Sequence, residues 1–116
     1  MKTQTAYFEI RDNHDSKFVI KLEEESKIRH VRRILSGEET QFIHVQGTIV
    51  KKQAYYNREW SYHLDPKSIE FFQVSIEVCD ASIQFIEDNL KEVCGATLPD
   101  CHWCPWSSRF VKEVFI

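Results

Sequence analysis

The tail segment "CHWCPWSS", Cys101 to Ser108, concentrates more reactive side chains than any other part of the chain. Two cysteines three residues apart, with a histidine and a tryptophan between them, admit three chemistries. The C-x-x-C spacing is that of thiol–disulfide oxidoreductases, whose first thiol is made reactive by a helix N-terminus. Here no βαβ pattern precedes the motif, and Cys104 runs into Pro105 and an extended segment. Redox chemistry at Cys101 and Cys104 is therefore the alternative reading. Zinc would need Cys101, Cys104, a further cysteine and His102. Adjacent Cys101 and His102 are poorly placed to share one ion, and the second cysteine knuckle of a structural zinc site is missing. No metal set and no cofactor motif is assigned. The third chemistry is a structural staple. Cys79 and Cys94 flank an expected helix of about 22 Å and cannot pair with each other. Of the pairings that remain, Cys79 with Cys104 would tie the helix's start to the final strand and Cys94 with Cys101 would close a short loop, each worth about 2–4 kcal/mol. Buried reduced thiols remain the competing state.

Aromatic residues form the second feature. Tyr55, Tyr56, Trp60, Trp103 and Trp106, with His63, could line a groove for a small ligand, a glycan or a peptide, since such rings give area at low entropic cost. Trp60, Tyr62 and Trp106 have core packing as the competing role. Tyr55 and Tyr56, in a turn, are expected to be exposed. His63 and Asp65 could be drawn into a triad with Ser107 or Ser108, but neither serine follows a nucleophile-elbow motif. No catalytic residue is assigned. Third, Lys27, Arg29, Arg32 and Arg33 give one helix a basic face, which could meet calmodulin or another acidic partner. The competing role is a solvated face of a packed helix.

These residues must be held by a small scaffold. The chain has 116 residues, 42% of them hydrophobic and 13% aromatic, with three glycines and three prolines. That suits one domain over residues 1–116 and excludes a disordered or low-complexity chain. The net charge of -3 disfavours nucleic-acid binding over a broad basic surface. No apolar run is long enough to span a membrane. "MKTQTAYFEI" lacks the apolar core of a signal peptide, so the chain as written suggests the cytoplasm, whereas bridged cysteines suggest a secreted or periplasmic setting.

"TAYFEIRD" and "KFVIKLE" are expected strands around the turn "NHDS". "EEESKIRHVRRILSG" is an amphipathic helix burying Ile28, Val31 and Leu35, closed by Gly37. "FIHVQGTIVKK", "WSYHLD" and "SIEFFQV" read as strands. "DASIQFIEDNLKEVCG" reads as a second helix, with Asp80 as N-cap, a Glu87–Lys91 pair and Gly95 at its end. "RFVKEVFI" is the final strand. The result is an α+β domain, a mainly antiparallel sheet with two helices on one face. After the first strand the order fits a split βαβ unit, which makes a ferredoxin-like topology the first expectation.

The blocks "HVQGTIVKKQAYYNREWSYHLDPKSIEFF", "IEVCDASIQFIEDNL" and "HWCPWSSR" resemble a family known from the N-terminal domain of a calmodulin-binding protein and from small stand-alone bacterial proteins. The resemblance spans about residues 17–114. Cys79 and Cys104 lie inside the matching blocks, so it implies that pairing. It also implies frequent secretory signals and carries no established enzyme activity. The expectation is a non-catalytic binding module, stapled by Cys79–Cys104.

Overall fold

The computed structural model describes residues 4–73 and 79–116. The strand expected to run through "SIEFFQV" lies partly outside them. β1 (Ala6–Arg11) and β2 (Lys17–Leu22) form an antiparallel hairpin, and β9 (Arg109–Val114) adds to the other side of β1, giving the order β2-β1-β9. α1 (Glu25–Ser36) packs against β2 and β9. It buries Ile28 and Val31 fully, and Leu35 packs at the core's edge. Gly37 ends the helix at φ 89°, where its N–H reaches the Ile34 carbonyl. A side chain would be strained in that left-handed conformation.

The second sheet is built on β3 (His44–Val50). It pairs antiparallel with β4 (His63–Leu64), β5 (Glu70–Phe72) and β8 (His102–Trp103), and a 3-10 turn, Pro66–Ser68, lies between β4 and β5. A Cβ on Gly47 would sit 3.2 Å from Ser68 Oγ and 3.3 Å from Leu64 Cδ2, so a larger residue would have to push these side chains back by a few tenths of an ångström. Two short strands, β6 (Val93–Cys94) and β7 (Thr97–Pro99), complete the set after α2 (Ile83–Asp88). The class is α+β with mostly antiparallel pairing. The ferredoxin-like expectation gives way, because the strands divide between these sheets rather than forming one split βαβ sheet.

Three aromatic rings join the sheets. Phe18 of β2 lies 5.2 Å from both Tyr62 and Trp103, edge-on to the latter. The polar tips of these large buried rings are satisfied: Tyr62 donates to the Ile83 carbonyl at 2.9 Å and Trp103 Nε1 to the Ala81 carbonyl at 2.9 Å. Both acceptors lie at the start of α2, so the core rings also fix that helix.

The second helix is much shorter than its pattern suggests. It begins after Ser82, whose hydroxyl accepts from the Phe85 amide, and ends at Asn89. Asp80 is not its cap. Asp80 Oδ1 instead accepts from the Trp106 amide and draws the tail loop in. Glu87 turns away from Lys91 to accept from the Ser61 amide and hydroxyl at 2.8 and 2.7 Å. Lys51 donates to the Leu90 and Val93 carbonyls, satisfying groups that a continuing helix would have bonded itself. Gly95 therefore closes a turn, not a helix. The 22 Å separation expected between Cys79 and Cys94 fails with it.

Asp12 shows how the hairpin is tied to this helix. It is buried, and Oδ1 accepts from the His14 and Ser16 amides while Oδ2 accepts from the Ile83 amide at 3.0 Å. Asp12→Ala leaves these donors without their carboxylate. We expect a loss of about 2–3 kcal/mol in urea unfolding, and a loss below about 0.5 kcal/mol would contradict the role.

Candidate functional site

Residues 51–58 leave β3 as an irregular loop, and two buried side chains fix it to the edge of β2. Asn57 Oδ1 accepts from the Val19 amide at 2.9 Å, and Asn57 Nδ2 donates to the Tyr62 carbonyl. Trp60 Nε1 donates to the Lys17 carbonyl at 2.5 Å. These bonds also cover backbone groups of an edge strand that would otherwise be open to pairing. The loop is thereby held beside Tyr7 of β1.

Three tyrosines meet there. The Tyr7 and Tyr55 hydroxyls are 2.5 Å apart and their rings 6.2 Å apart. Tyr56 lies 5.4 Å from Tyr7 and is edge-on to Tyr55 at 5.2 Å. Tyr55 remains 59% exposed, whereas Tyr56 is only 7% exposed. The expectation that both are exposed is thus corrected for Tyr56, whose ring is enclosed by Tyr7, Tyr55 and His63. Its hydroxyl is buried without a hydrogen-bond partner.

Two clefts share the Tyr55 and Tyr56 rings. The larger, about 400 Å³, is also lined by Lys21, Glu23, Lys52, His63, Asp65 and Lys67. The smaller, about 320 Å³, runs along Glu9, Lys17 and Arg58. In the larger cleft His63 Nδ1 is 2.7 Å from the Lys52 carbonyl. A carbonyl only accepts, so Nδ1 carries the proton and Nε2 of the neutral ring is an acceptor. Asp65 Oδ1 accepts from the Lys67 amide, and Lys21 lies 3.5 Å from Glu23.

The phenols of this cluster resist ionisation. The hydrogen bond to Tyr55, then burial, pushes Tyr7 up to about 12 from the ordinary 10.0. Burial raises Tyr56 further, assisted by Tyr55, Tyr7, Glu23 and Asp65, and burial likewise raises Tyr62 in the core. An unfolded chain ionises these groups near 10.0, before the native one, so stability falls as the pH rises above 10. At that pH the native protein is expected to show less phenolate absorbance than the urea-unfolded protein. Equal absorbance would contradict the enclosure of Tyr56 and Tyr62.

Of the residues singled out from the sequence, the structure brings Tyr55, Tyr56 and His63 together. Trp60 and Trp103 are buried: Trp60 anchors the loop to β2, and Trp103 fills the core. Neither ring offers a face to a ligand. Trp106 is half-buried and stacks on His44 at 4.3 Å and on Phe72 at 6.1 Å, with no ring contact to the tyrosines. His44 Nδ1 donates to the Ser108 carbonyl at 3.0 Å, tying that stack to the tail. Tyr7, Lys52 and Lys67 are the contributors that sequence reasoning missed. Tyr7 alternates with the apolar Phe8 in "TAYFEI", which marks it as pointing to the opposite face of β1.

On the basic helix most charges are already engaged. Lys27 contacts Glu24 and Glu70, Arg29 contacts Glu25, and Arg32 forms a paired contact with Glu113 at 3.0 and 2.8 Å. Arg33 alone of the four has no ion pair among the described residues. Arg29, Arg32 and Arg33 border an open cleft of about 460 Å³ with Ser36 and Glu38.

The sulfurs of two cysteine pairs lie at disulfide distance: Cys79 with Cys104, and Cys94 with Cys101. Cys101 and Cys104 therefore each face a different partner and not one another. His102 Nε2 is 3.6 Å from Cys104 Sγ and 2.7 Å from Gln46 Oε1. Cys79, His102 and Cys104 gather their ligating atoms within 4.8 Å. Two of the three atoms are the bridged sulfurs, which are engaged with each other and are not thiolate ligands. The inner bridge closes a loop in which Cys94, Leu98, Asp100 and Cys101 all have positive φ.

Fold and geometry together define a small α+β domain cross-linked near its C-terminus, with an exposed tyrosine cluster at one loop. The chain belongs to the BP-74 N-terminal domain family, whose match covers residues 4–116 and so takes in β1 as well as the expected 17–114. No curated protein and no solved structure matches it. Among the described residues no helix is long and apolar enough to cross a membrane.

Proposed function

We propose that this domain is a non-catalytic binding module whose contact site is the Tyr7–Tyr55–Tyr56 cluster with its larger cleft. One observation carries the reading. Tyr55 is an exposed ring in edge-on contact with two other tyrosines, with charged groups on a concave surface beside it. A pre-ordered aromatic ring offers contact area without paying to immobilise a side chain. The concavity supports a glycan, a short peptide or a small molecule as ligand. Calmodulin or another acidic partner on α1 is less favoured, because Lys27, Arg29 and Arg32 would have to exchange existing ion pairs for new ones. A redox role at Cys101 and Cys104 is less favoured because each sulfur is beside a different cysteine.

The test is a glycan and peptide array probed with labelled protein and three variants. Tyr55→Ala is expected to lose the binding signals. Phe85→Ala removes an aromatic ring that is 44% exposed elsewhere on the surface and is expected to keep them. Signals that survive Tyr55→Ala and vanish with Arg33→Glu would overturn the reading in favour of the basic helix.

A further inference from the structure

The larger cleft carries an excess of positive charge on an acidic chain. Lys21, Lys52 and Lys67 face it against Glu23 and Asp65, while the whole protein has a net charge of -3. Lys21 lies against Glu23, which leaves the Lys52 and Lys67 ammonium groups without an ion pair among the described residues. The cleft also contains unmet polar demand. The Tyr56 hydroxyl is buried and unbonded. His63 Nε2, in the neutral ring, and the Asp65 oxygen not held by the Lys67 amide add two acceptors on the cleft wall.

We propose that the ligand of this cleft is an acidic saccharide, a sugar bearing a carboxylate, and this rests on the contact-site reading above. The complementarity decides among ligand classes. A carboxylate meets Lys52 and Lys67, as charge-assisted hydrogen bonds require. Sugar hydroxyls donate to His63 Nε2 and Asp65. The CH face of the ring lies against Tyr55. A neutral sugar leaves the ammonium groups unanswered. An acidic peptide sets further carboxylates beside Asp65 and Glu23 and has donors only on its backbone.

Calorimetric titration with trigalacturonate and with its methyl ester isolates the charge on one carbon skeleton. Trigalacturonate is expected to bind at least about tenfold more tightly than the ester, a difference abolished in Lys52→Gln/Lys67→Gln. Equal affinity for acid and ester would overturn the proposal while leaving the tyrosine contact site intact. Failure of trigalacturonate to bind at millimolar concentration would overturn it as well, the contact site then standing or falling on the array alone. Tighter binding of a hexaglutamate peptide in the same cleft would overturn it in favour of a peptide ligand.

Discussion

Removing the outer bridge with Cys79→Ala/Cys104→Ala is expected to cost about 3.5 kcal/mol, against about 2.5 kcal/mol for Cys94→Ala/Cys101→Ala. The figures follow from the loops closed in the unfolded chain: the sequence separations are 25 and 7 residues. Burial widens the gap. Cys104 is fully buried and Cys79 nearly so, and the Cys104 amide donates to the Cys79 carbonyl at 2.7 Å. Truncating them adds a core defect, whereas the inner pair sits in a half-buried loop. Urea unfolding of both double variants under oxidising conditions measures the difference. If the inner pair proves the costlier to remove, the outer bridge is not the main covalent tie of the fold.

Trp103→Ala is the largest single-residue effect expected, about 3–5 kcal/mol. The indole is fully buried, stands edge-on to Phe18 and Tyr62, and bonds the Ala81 carbonyl at the entrance to α2. Its removal empties the joint between the two sheets and takes the indole donor from the half-buried Ala81 carbonyl. Against a typical total of about 5–15 kcal/mol, that brings the protein close to unfolding. Tyr55→Ala is expected to change stability by less than about 0.5 kcal/mol, as befits an exposed ring. Unfolding midpoints and near-ultraviolet circular dichroism report both. A Trp103→Ala protein within about 1 kcal/mol of wild type would return that tryptophan to the surface and to the list of contact residues.

The elements with a strict local period were legible in the sequence. β1, β2 and β3 alternate, α1 repeats its apolar residues every three to four positions, and Gly37 closes it in the conformation glycine favours. The second helix misled because its apolar period continues to Val93 while its polar groups have other partners. Asp80, Glu87 and the carbonyls of Leu90 and Val93 are all bonded by residues far away in sequence. Local propensity is a weak guide where such tertiary bonds compete with it. The sheet order was hidden for a similar reason, since β9 joins β1 across nearly the whole chain.

The candidate site divides along the same line. A turn-borne Tyr55 could be read as exposed, and His63 falls near it through β4. Tyr7 could not be joined to them from the sequence, because Asn57 and Trp60 bring the loop to β1 and β2 by bonds to the backbone. The tryptophans of the tail segment drew attention for their density. Burial assigns one to the core, and the other stacks on His44. Of that segment, its two cysteines tie down the fold, and the proposed contact site lies elsewhere.

The most direct test of the contact site is backbone chemical-shift mapping of the isotope-labelled protein with the ligands that bind on the array. The expected perturbations cluster at Tyr7, along residues 51–58 and along residues 63–67. Perturbations concentrated on Arg29, Arg32 and Arg33, or around Trp106, with Tyr55 unmoved, would contradict it.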